Sequence, residues 1–452
     1  MHRLLNAKIL LTFVILLGLF SLWTYKGITE TGIHVDLARD LNEVSNLWMH
    51  KIVWLGPMTS ANFPASPIYY YLLFPGLILS GGNGLSLIVS QTFFALFALG
   101  IFAFFQLKKS FVSTILVILT IGLSPWWISS SSFIWNGHMY VSWVLLALVS
   151  LWFKKPLFIS ALLFGVSIAI NPVAAMALPV LFYEWIIEKR RLKNLMHILL
   201  GLALPWTPII LFEIITKGFL TRHWLQYPSS AGITFIPNLG NIIRLINTIY
   251  LPNTIVAIIA AILTFLMGSK RERYWLIFIS LPLLFLAFTS PLRQYYTLGL
   301  ICALSFIFVM IWSSKTIGKI ILVIMIFLYT QTITFTPLSF AGRSIQRMDN
   351  AVNTFIQNNN LDKTKKYAVV SVRDTQNSTP QADDFRFFLR TKGINALNID
   401  EYPQADNLIL FVEVPNFKWQ EWEDWHILRF GKKRFLSNQN IDGIEIVMYE
   451  KE

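Results

Sequence analysis

Residues 7–25, AKILLTFVILLGLFSLWTY, carry no charge after Lys8, and as a helix they are long enough to cross roughly 30 Å of hydrocarbon. A basic start before an apolar stretch is also how a signal peptide begins. This run is long, however, and no small-residue cleavage pattern follows it, so it reads as a retained first helix. Continuous apolar runs recur at 84–106, 111–128, 139–153, 156–171, 172–187, 194–215, 253–268, 274–290, 294–313 and 318–336. A closed barrel would instead show short alternating segments. The expected fold is therefore a polytopic α-helical membrane protein of about 11–13 transmembrane helices.

Composition agrees. Apolar residues make up 55% of the chain and charged residues 13%, more apolar surface than ordinary soluble domains hide. The single cysteine, Cys302, lies inside an apolar run and forms no intrachain disulfide. The net charge of +13 is unevenly spread: residues 1–337 hold 22 Lys/Arg and 8 Asp/Glu, and residues 338–452 hold 15 and 16. Fifteen of those 22 basic residues fall in short clusters: Arg3 with Lys8, Lys108-Lys109, Lys154-Lys155, Lys189-Arg190-Arg191 with Lys193, Lys270-Arg271 with Arg273, and Lys315 with Lys319. They alternate with basic-poor loops, the positive-inside pattern. Such a distribution speaks against nucleic acid as a partner. It places the N-terminus and the clusters in the cytoplasm. Loop 26–66, residues 129–138, loop 216–252 and everything after 337 then lie outside. The run from Pro67 to Ser80 is short for a crossing and is expected to be a re-entrant or partly buried half-helix, the alternative being a true short span that breaches the charge rule locally.

From residue 338 onward charge becomes dense and balanced. Strand-like runs appear at Tyr367–Val372, Asn407–Val414 and Ile444–Tyr449, with a helical pattern at Asp383–Lys392 that Gly393 would cap. The expected organisation is a transmembrane domain over 1–337 and a small extracytoplasmic α/β domain over 338–452. Asn377-Ser378-Thr379 fits a glycosylation acceptor, a signal of low specificity. There is no internal repeat of the kind inverted-repeat transporters carry.

Ionisable groups near a bilayer are costly and are candidates for function. Between Val35 and Ile52, Leu37, Leu41, Val44 and Trp48 recur at helical spacing, and Asp36, Arg39, Asp40 and Glu43 share the other side. This is an amphipathic helix at the membrane surface, its polar side facing a cavity or water. A plain solvated face, with Arg39 paired to its neighbours, would give the same pattern. Two turn-rich stretches follow, Leu55-Gly56-Pro57 and Asn62-Phe63-Pro64. Then comes Pro67-Ile68-Tyr69-Tyr70-Tyr71, whose tyrosines an interfacial aromatic belt would also explain.

In order along the chain, Asp36-Leu37-Ala38-Arg39-Asp40, Leu55-Gly56-Pro57 and Ser66-Pro67-Ile68-Tyr69-Tyr70-Tyr71 resemble the GT-C glycosyltransferase superfamily. Ser124-Pro125-Trp126, Phe133-Ile134-Trp135-Asn136, Leu211-Phe212-Glu213 and Arg293 with Tyr295-Tyr296 extend that resemblance. The branch it looks most like holds the protein O-mannosyltransferases and bacterial aminoarabinose transferases. The likeness covers residues 1 to about 300 and rests on the order of the motifs, none of which is specific alone. It implies a glycosyltransferase whose donor is a polyprenyl-phosphate-linked sugar and whose acceptor, a protein, lipid or glycan, offers a hydroxyl. Asp36 would be the general base, and Asp40 a second carboxylate holding Arg39 or the acceptor. Arg293, then Arg222 and His223, would bind the carrier phosphate. Arg222 reads equally as a snorkelling side chain. Glu213 would orient a sugar hydroxyl or simply pair with Arg222. Tyr69, Tyr70, Asn136, His138, Tyr295 and Tyr296 complete the candidate binding set.

The chain departs from the pattern in its second outer loop. Related enzymes often carry an Arg and an acidic residue there, whereas residues 129–140 offer Asn136 and His138 and no carboxylate. The expectation is a metal-independent enzyme without a cofactor. A flippase or transporter of lipid-linked sugars would need ionisable groups within the helices, which are nearly lacking. A non-catalytic scaffold would not need acidic and basic side chains gathered toward one compartment.

Overall fold

A computed structural model describes residues 2–59, 63–187, 192–226, 234–235, 239–249, 254–287, 289–290, 294–335, 342–373, 382–422 and 424–452. Two compact units form: one of residues 1–27, 54–69 and 91–336, the other of 28–53, 70–90 and 337–452. Segments 28–53 and 70–90, expected within the membrane domain, thus group with the C-terminal segment.

The eleven apolar runs are helical over most of their described residues, run 274–290 ending in a short strand. Leu5–Glu30, Ser86–Gln106, Leu192–Ile215 and Tyr295–Ser313 are each long and apolar enough to cross a membrane. Several shorter apolar helices, among them Leu157–Ile170, Thr254–Met267 and Thr316–Thr332, stand beside them. Run 111–128 is not one straight span. It divides into Phe111–Gly122 and Pro125–Ser132, bent by 69°, because Pro125 has no amide to donate and its ring disfavours helical backbone before it. The carbonyl freed at Gly122 accepts from Trp23 Nε1 at 2.9 Å. Helices Leu157–Ile170 and Leu192–Ala203 approach so closely that a Cβ on Gly165 would lie 2.7 Å from the Gly201 carbonyl oxygen, the small-residue packing that membrane helices use. Short strands β1 (Thr234–Phe235) and β2 (Thr289–Ser290) pair antiparallel.

In the second unit a five-stranded sheet runs in the order β4 (Asn395–Ala396), β3 (Lys366–Val372), β5 (Asn407–Val412), β7 (Ile444–Lys451), β6 (Lys433–Ile441). β3 pairs parallel with β4 and β5, and β7 runs antiparallel to β5 and β6. β3 from Tyr367 onward and all of β5 are buried, as strands covered on both faces must be. One face sets Ala368, Val370, Leu408 and Leu410 against Tyr402, Ile427 and Phe430. On the other, Phe385 of helix Asp383–Thr391 stacks on Phe411 at 3.9 Å and Phe355 of helix Ile345–Asn359 meets it edge-on. The three strands and the helix read from the sequence are all present, with Gly393 at φ +81 after the helix. β6 was not foreseen, because its residues alternate between polar and half-exposed positions at the sheet edge.

The amphipathic helix is Val35–Trp48, hereafter the loop helix. Leu37, Leu41 and Val44 are buried as expected, but so are Asp40 and Ser45. Its polar side is not simply turned to water: helix Asp383–Thr391 covers part of it. The half-helix is Ile68–Leu79 with Pro75 inside. After it, the turn reaches helix Asp383–Thr391 through glycines. At Gly82 (φ +91) a Cβ would sit 3.0 Å from the Thr391 carbonyl oxygen, where no other residue fits without strain.

Candidate active site

Helical spacing of three and four residues puts Asp36, Arg39 and Asp40 on one face of the loop helix. Arg39 joins the two carboxylates. Its Nη1 donates to Asp36 Oδ1 at 3.2 Å, and its Nε and Nη2 donate to Asp40 Oδ1 at 3.1 and 2.8 Å. Tyr70 Oη donates to the same oxygen at 3.0 Å. The carboxylates differ sharply in exposure, 47% for the Asp36 side chain and 1% for Asp40. Burial pushes the Asp40 carboxyl up to about 6, against the opposing pull of Arg39 and Tyr70. Its second oxygen, Oδ2, is buried and takes no hydrogen bond among the described residues. Asp36 is therefore the carboxylate open to solvent, and Asp40 is the buried one, bonded by Arg39 and Tyr70. Tyr69 is fully buried.

In the other unit, two motifs quoted above meet. Gly56 N donates to the Ala65 carbonyl at 2.9 Å, and a Cβ on Gly56 would lie 2.2 Å from the Ser66 carbonyl oxygen. The start of helix Asn136–Trp152 and the start of helix Gln294–Ser313 also come together. Trp135 packs edge-on to Tyr295 at 4.6 Å and against the His138 ring at 5.7 Å, and Tyr295 packs on Tyr296 at 4.4 Å. Tyr140 fastens the two helices, donating to the Tyr295 carbonyl and accepting from Gly299 N, both at 2.9 Å. His138 Nδ1 lies 3.0 Å from the Ser129 carbonyl. Asn136 Nδ2 donates to the Ile170 carbonyl at 3.3 Å, a group left over where Asn171-Pro172 ends a helix. Arg293, next to this cluster in sequence, lies outside the described residues, as does Asn377.

Glu213 and Arg222 organise a local turn. The Glu213 carboxylate accepts from Leu220 N at 2.7 Å, Thr221 N at 3.2 Å and Thr221 Oγ1 at 2.6 Å, capping helix Phe219–Gln226. Arg222 donates to the Gly218 and Thr216 carbonyls, both at 3.3 Å, and His223 stacks on Phe219. Among the described residues no group of three or more His, Cys, Asp and Glu could hold a metal ion.

Several partners escaped the sequence reading. Trp135 was quoted only as part of a motif, yet its ring links His138 to Tyr295. Asn42, Ser45 and Asn46 were passed over on the loop helix, though their spacing is as regular as that of Asp36, Arg39 and Asp40. Arg386 and Arg390, which bind them, lie about 340 residues away, and no local signal links the two sets.

No protein-family model matches this chain, and no curated protein does. Solved structures do. ArnT from Cupriavidus metallidurans in its apo state superposes over 98% of each chain with a TM-score of 0.63 at 9% identity. The same protein bound to undecaprenyl phosphate gives 0.62 at 10% identity, again over 98% of each chain. AftD, a mycobacterial arabinofuranosyltransferase, gives 0.48 at 13% identity over 100% of this chain and 40% of its own.

Proposed function

From the GT-C fold that the chain shares end to end with ArnT, we propose a membrane glycosyltransferase that moves a sugar from a polyprenyl-phosphate carrier to an acceptor hydroxyl at the outer face. The observation that carries this reading is the pair of unequal carboxylates on the loop helix: Asp36 half-exposed, Asp40 buried, with Arg39 bonded to both.

In the proposed reaction Asp36 takes the proton of the acceptor hydroxyl, and that oxygen forms a bond to the anomeric carbon. The bond between that carbon and the carrier phosphate breaks, and the phosphate leaves with the electron pair. Arg293 is the first choice to neutralise it, with Arg222 and His223 behind. Trp135, Tyr295, Tyr296, His138 and Asn136 are the groups proposed to line the sugar, with Glu213 shaping the outer turn. ArnT solved with undecaprenyl phosphate supports a lipid phosphate as the carrier. The outward assignment rests on the basic clusters. A reporter fused after residue 337 should be active only outside the cytoplasm.

The test is a transfer assay in detergent with a radiolabelled polyprenyl-phosphate sugar and a hydroxyl acceptor. Acceptor-dependent release of polyprenyl phosphate is expected, unchanged by EDTA because the mechanism routes no step through a metal. Movement of lipid across a bilayer without any transfer would favour a flippase and overturn the proposal.

A further inference from the structure

We propose that Arg390, in the C-terminal domain, is a positioning residue for the transfer reaction: it fixes the register of the loop helix and thereby the placement of Asp36 and Arg39. This inference rests on the glycosyltransferase reading above.

Arg390 is 2% exposed, and its guanidinium is fully engaged. Nη1 donates to Asn42 Oδ1 at 3.1 Å, Ser45 Oγ at 2.9 Å and Asn46 Oδ1 at 3.1 Å. Nε donates to the Ala396 carbonyl at 2.8 Å and Nη2 to Asn398 Oδ1 at 2.8 Å. One nitrogen, Nη1, therefore grips about one turn of the loop helix, while the other two nitrogens pin the guanidinium plane on its far side.

Its neighbour Arg386, one turn earlier, is held differently. Arg386 pairs with Asp383 and also donates to Tyr402 Oη at 2.8 Å and Asn42 Oδ1 at 3.3 Å. Among the described residues Arg390 has no such carboxylate on its hydrogen bonds; every acceptor is neutral. A buried cation held by neutral groups is an expensive way to cover a helix face, and apolar packing would cost less. What the guanidinium adds is direction, since its fork accepts partners only in fixed positions.

The base of this clamp is firm. In the first turn of helix Asp383–Thr391, Asp384 pairs with both Arg343 and Arg373, and Phe385 stacks on β5. Arg343 in turn offers its carbonyl to Ile33 N at 2.7 Å, just before the loop helix starts.

Asn42, Ser45 and Asn46 lie about a quarter of a turn round the helix from Asp36 and Arg39, at roughly 100° per residue. Rotating the helix by about 20° would swing a side-chain tip by about 2 Å at a radius of about 6 Å. Misplacement of about 1 Å is enough to cost a large factor in a reaction that depends on orientation. Holding this helix in register is thus a requirement of the proposed chemistry.

The experiment compares wild type with Arg390→Lys, which keeps the charge and loses the fork, and with the double variant Asn42→Ala/Ser45→Ala. The latter leaves Arg390 and its domain contacts in place. Three readouts are taken on the full chain in detergent: kcat and KM for transfer, affinity for polyprenyl phosphate, and amide hydrogen exchange. In both variants kcat should fall about tenfold, while donor KM and carrier affinity stay within about twofold. Exchange should quicken about tenfold over residues 35–48 and remain unchanged in β3 and β5. Unchanged kcat in both variants would overturn the inference. So would exchange that rises equally in β3 and β5, since Arg390 would then only stabilise its own domain. Wild type that transfers no sugar would refute the glycosyltransferase reading, and the exchange data would still decide whether Arg390 holds the helix.

Discussion

The cluster on the loop helix and the cluster at the head of helix Gln294–Ser313 are built from opposite materials. The first is charged: Asp36, Arg39 and Asp40, tied together by direct ion pairs and by Tyr70. The second, among the described residues, is a set of rings, Trp135, His138, Tyr295 and Tyr296, fixed by the hydrogen bonds of Tyr140 to the neighbouring helix. They also belong to different compact units. The charged cluster owes its place to a compact unit built largely from the other end of the chain, and the aromatic one to packing of apolar helices. Groups proposed to move protons and groups proposed to hold the sugar are thus positioned by separate parts of the fold. Substitutions in one should change a different kinetic constant from substitutions in the other.

The largest effect should come from the charged cluster. Asp36→Asn keeps size and most hydrogen bonding but accepts no proton, so kcat should fall at least about a hundredfold, the usual scale for a lost general base. Affinity for polyprenyl phosphate should be unchanged or slightly tighter, because a nearby negative charge is gone. Near-normal turnover would dismiss Asp36 as the base. Arg293→Ala should do the reverse. Losing a charge-assisted contact of roughly 1.5–3 kcal/mol weakens carrier binding about ten- to a hundredfold. Equal affinity in variant and wild type would take Arg293 out of the site.

A smaller effect separates Asp40 from Asp36. The Asp40 carboxyl is raised to about 6, chiefly by burial, above an unfolded value of about 4. The folded protein therefore holds this proton more tightly than the unfolded chain. The stability it contributes is full below about pH 4 and is lost as pH rises through about 6, on the order of 1–3 kcal/mol. Asp40→Asn stays neutral throughout, so the difference in melting temperature between variant and wild type should widen in the variant's favour from pH 4 to pH 7. Parallel pH profiles would show that Asp40 does not titrate in this way.

The smallest change is expected in the aromatic cluster. Trp135→Ala removes ring contacts worth about 0.5–1.5 kcal/mol, which should raise donor KM about two- to tenfold and leave kcat nearly untouched. A loss confined to kcat would move Trp135 to the proton-handling side and erase the proposed division between the clusters.

Much of this was legible in the chain. Apolar runs near bilayer length specify helices whatever surrounds them, because hydrocarbon leaves backbone groups no partner outside the helix. Short strand-like runs marked β3, β5 and β7. The spacing of Asp36, Arg39 and Asp40 placed them on one helix face. Other features depend on distant partners. Run 111–128 reads as one span, and its division at Pro125 with a 69° bend is seen only in the packed helices. Glu213 and Arg222 were readable as charged residues near an apolar run, but not as caps on the two helices around Thr216–Gly218.

The unequal fates of Asp36 and Asp40 show the boundary most clearly. Helical periodicity determines which side chains share a face, and the sequence alone settled that these two do. It does not determine what covers the face. That was decided by Tyr70 of the half-helix, bonded to Asp40, and by Arg386 and Arg390, bonded to the adjoining face of the same helix. Burial depends on such contacts with segments 30 and about 340 residues away, and with burial comes the difference between a carboxylate open to solvent and one that keeps its proton up to about pH 6.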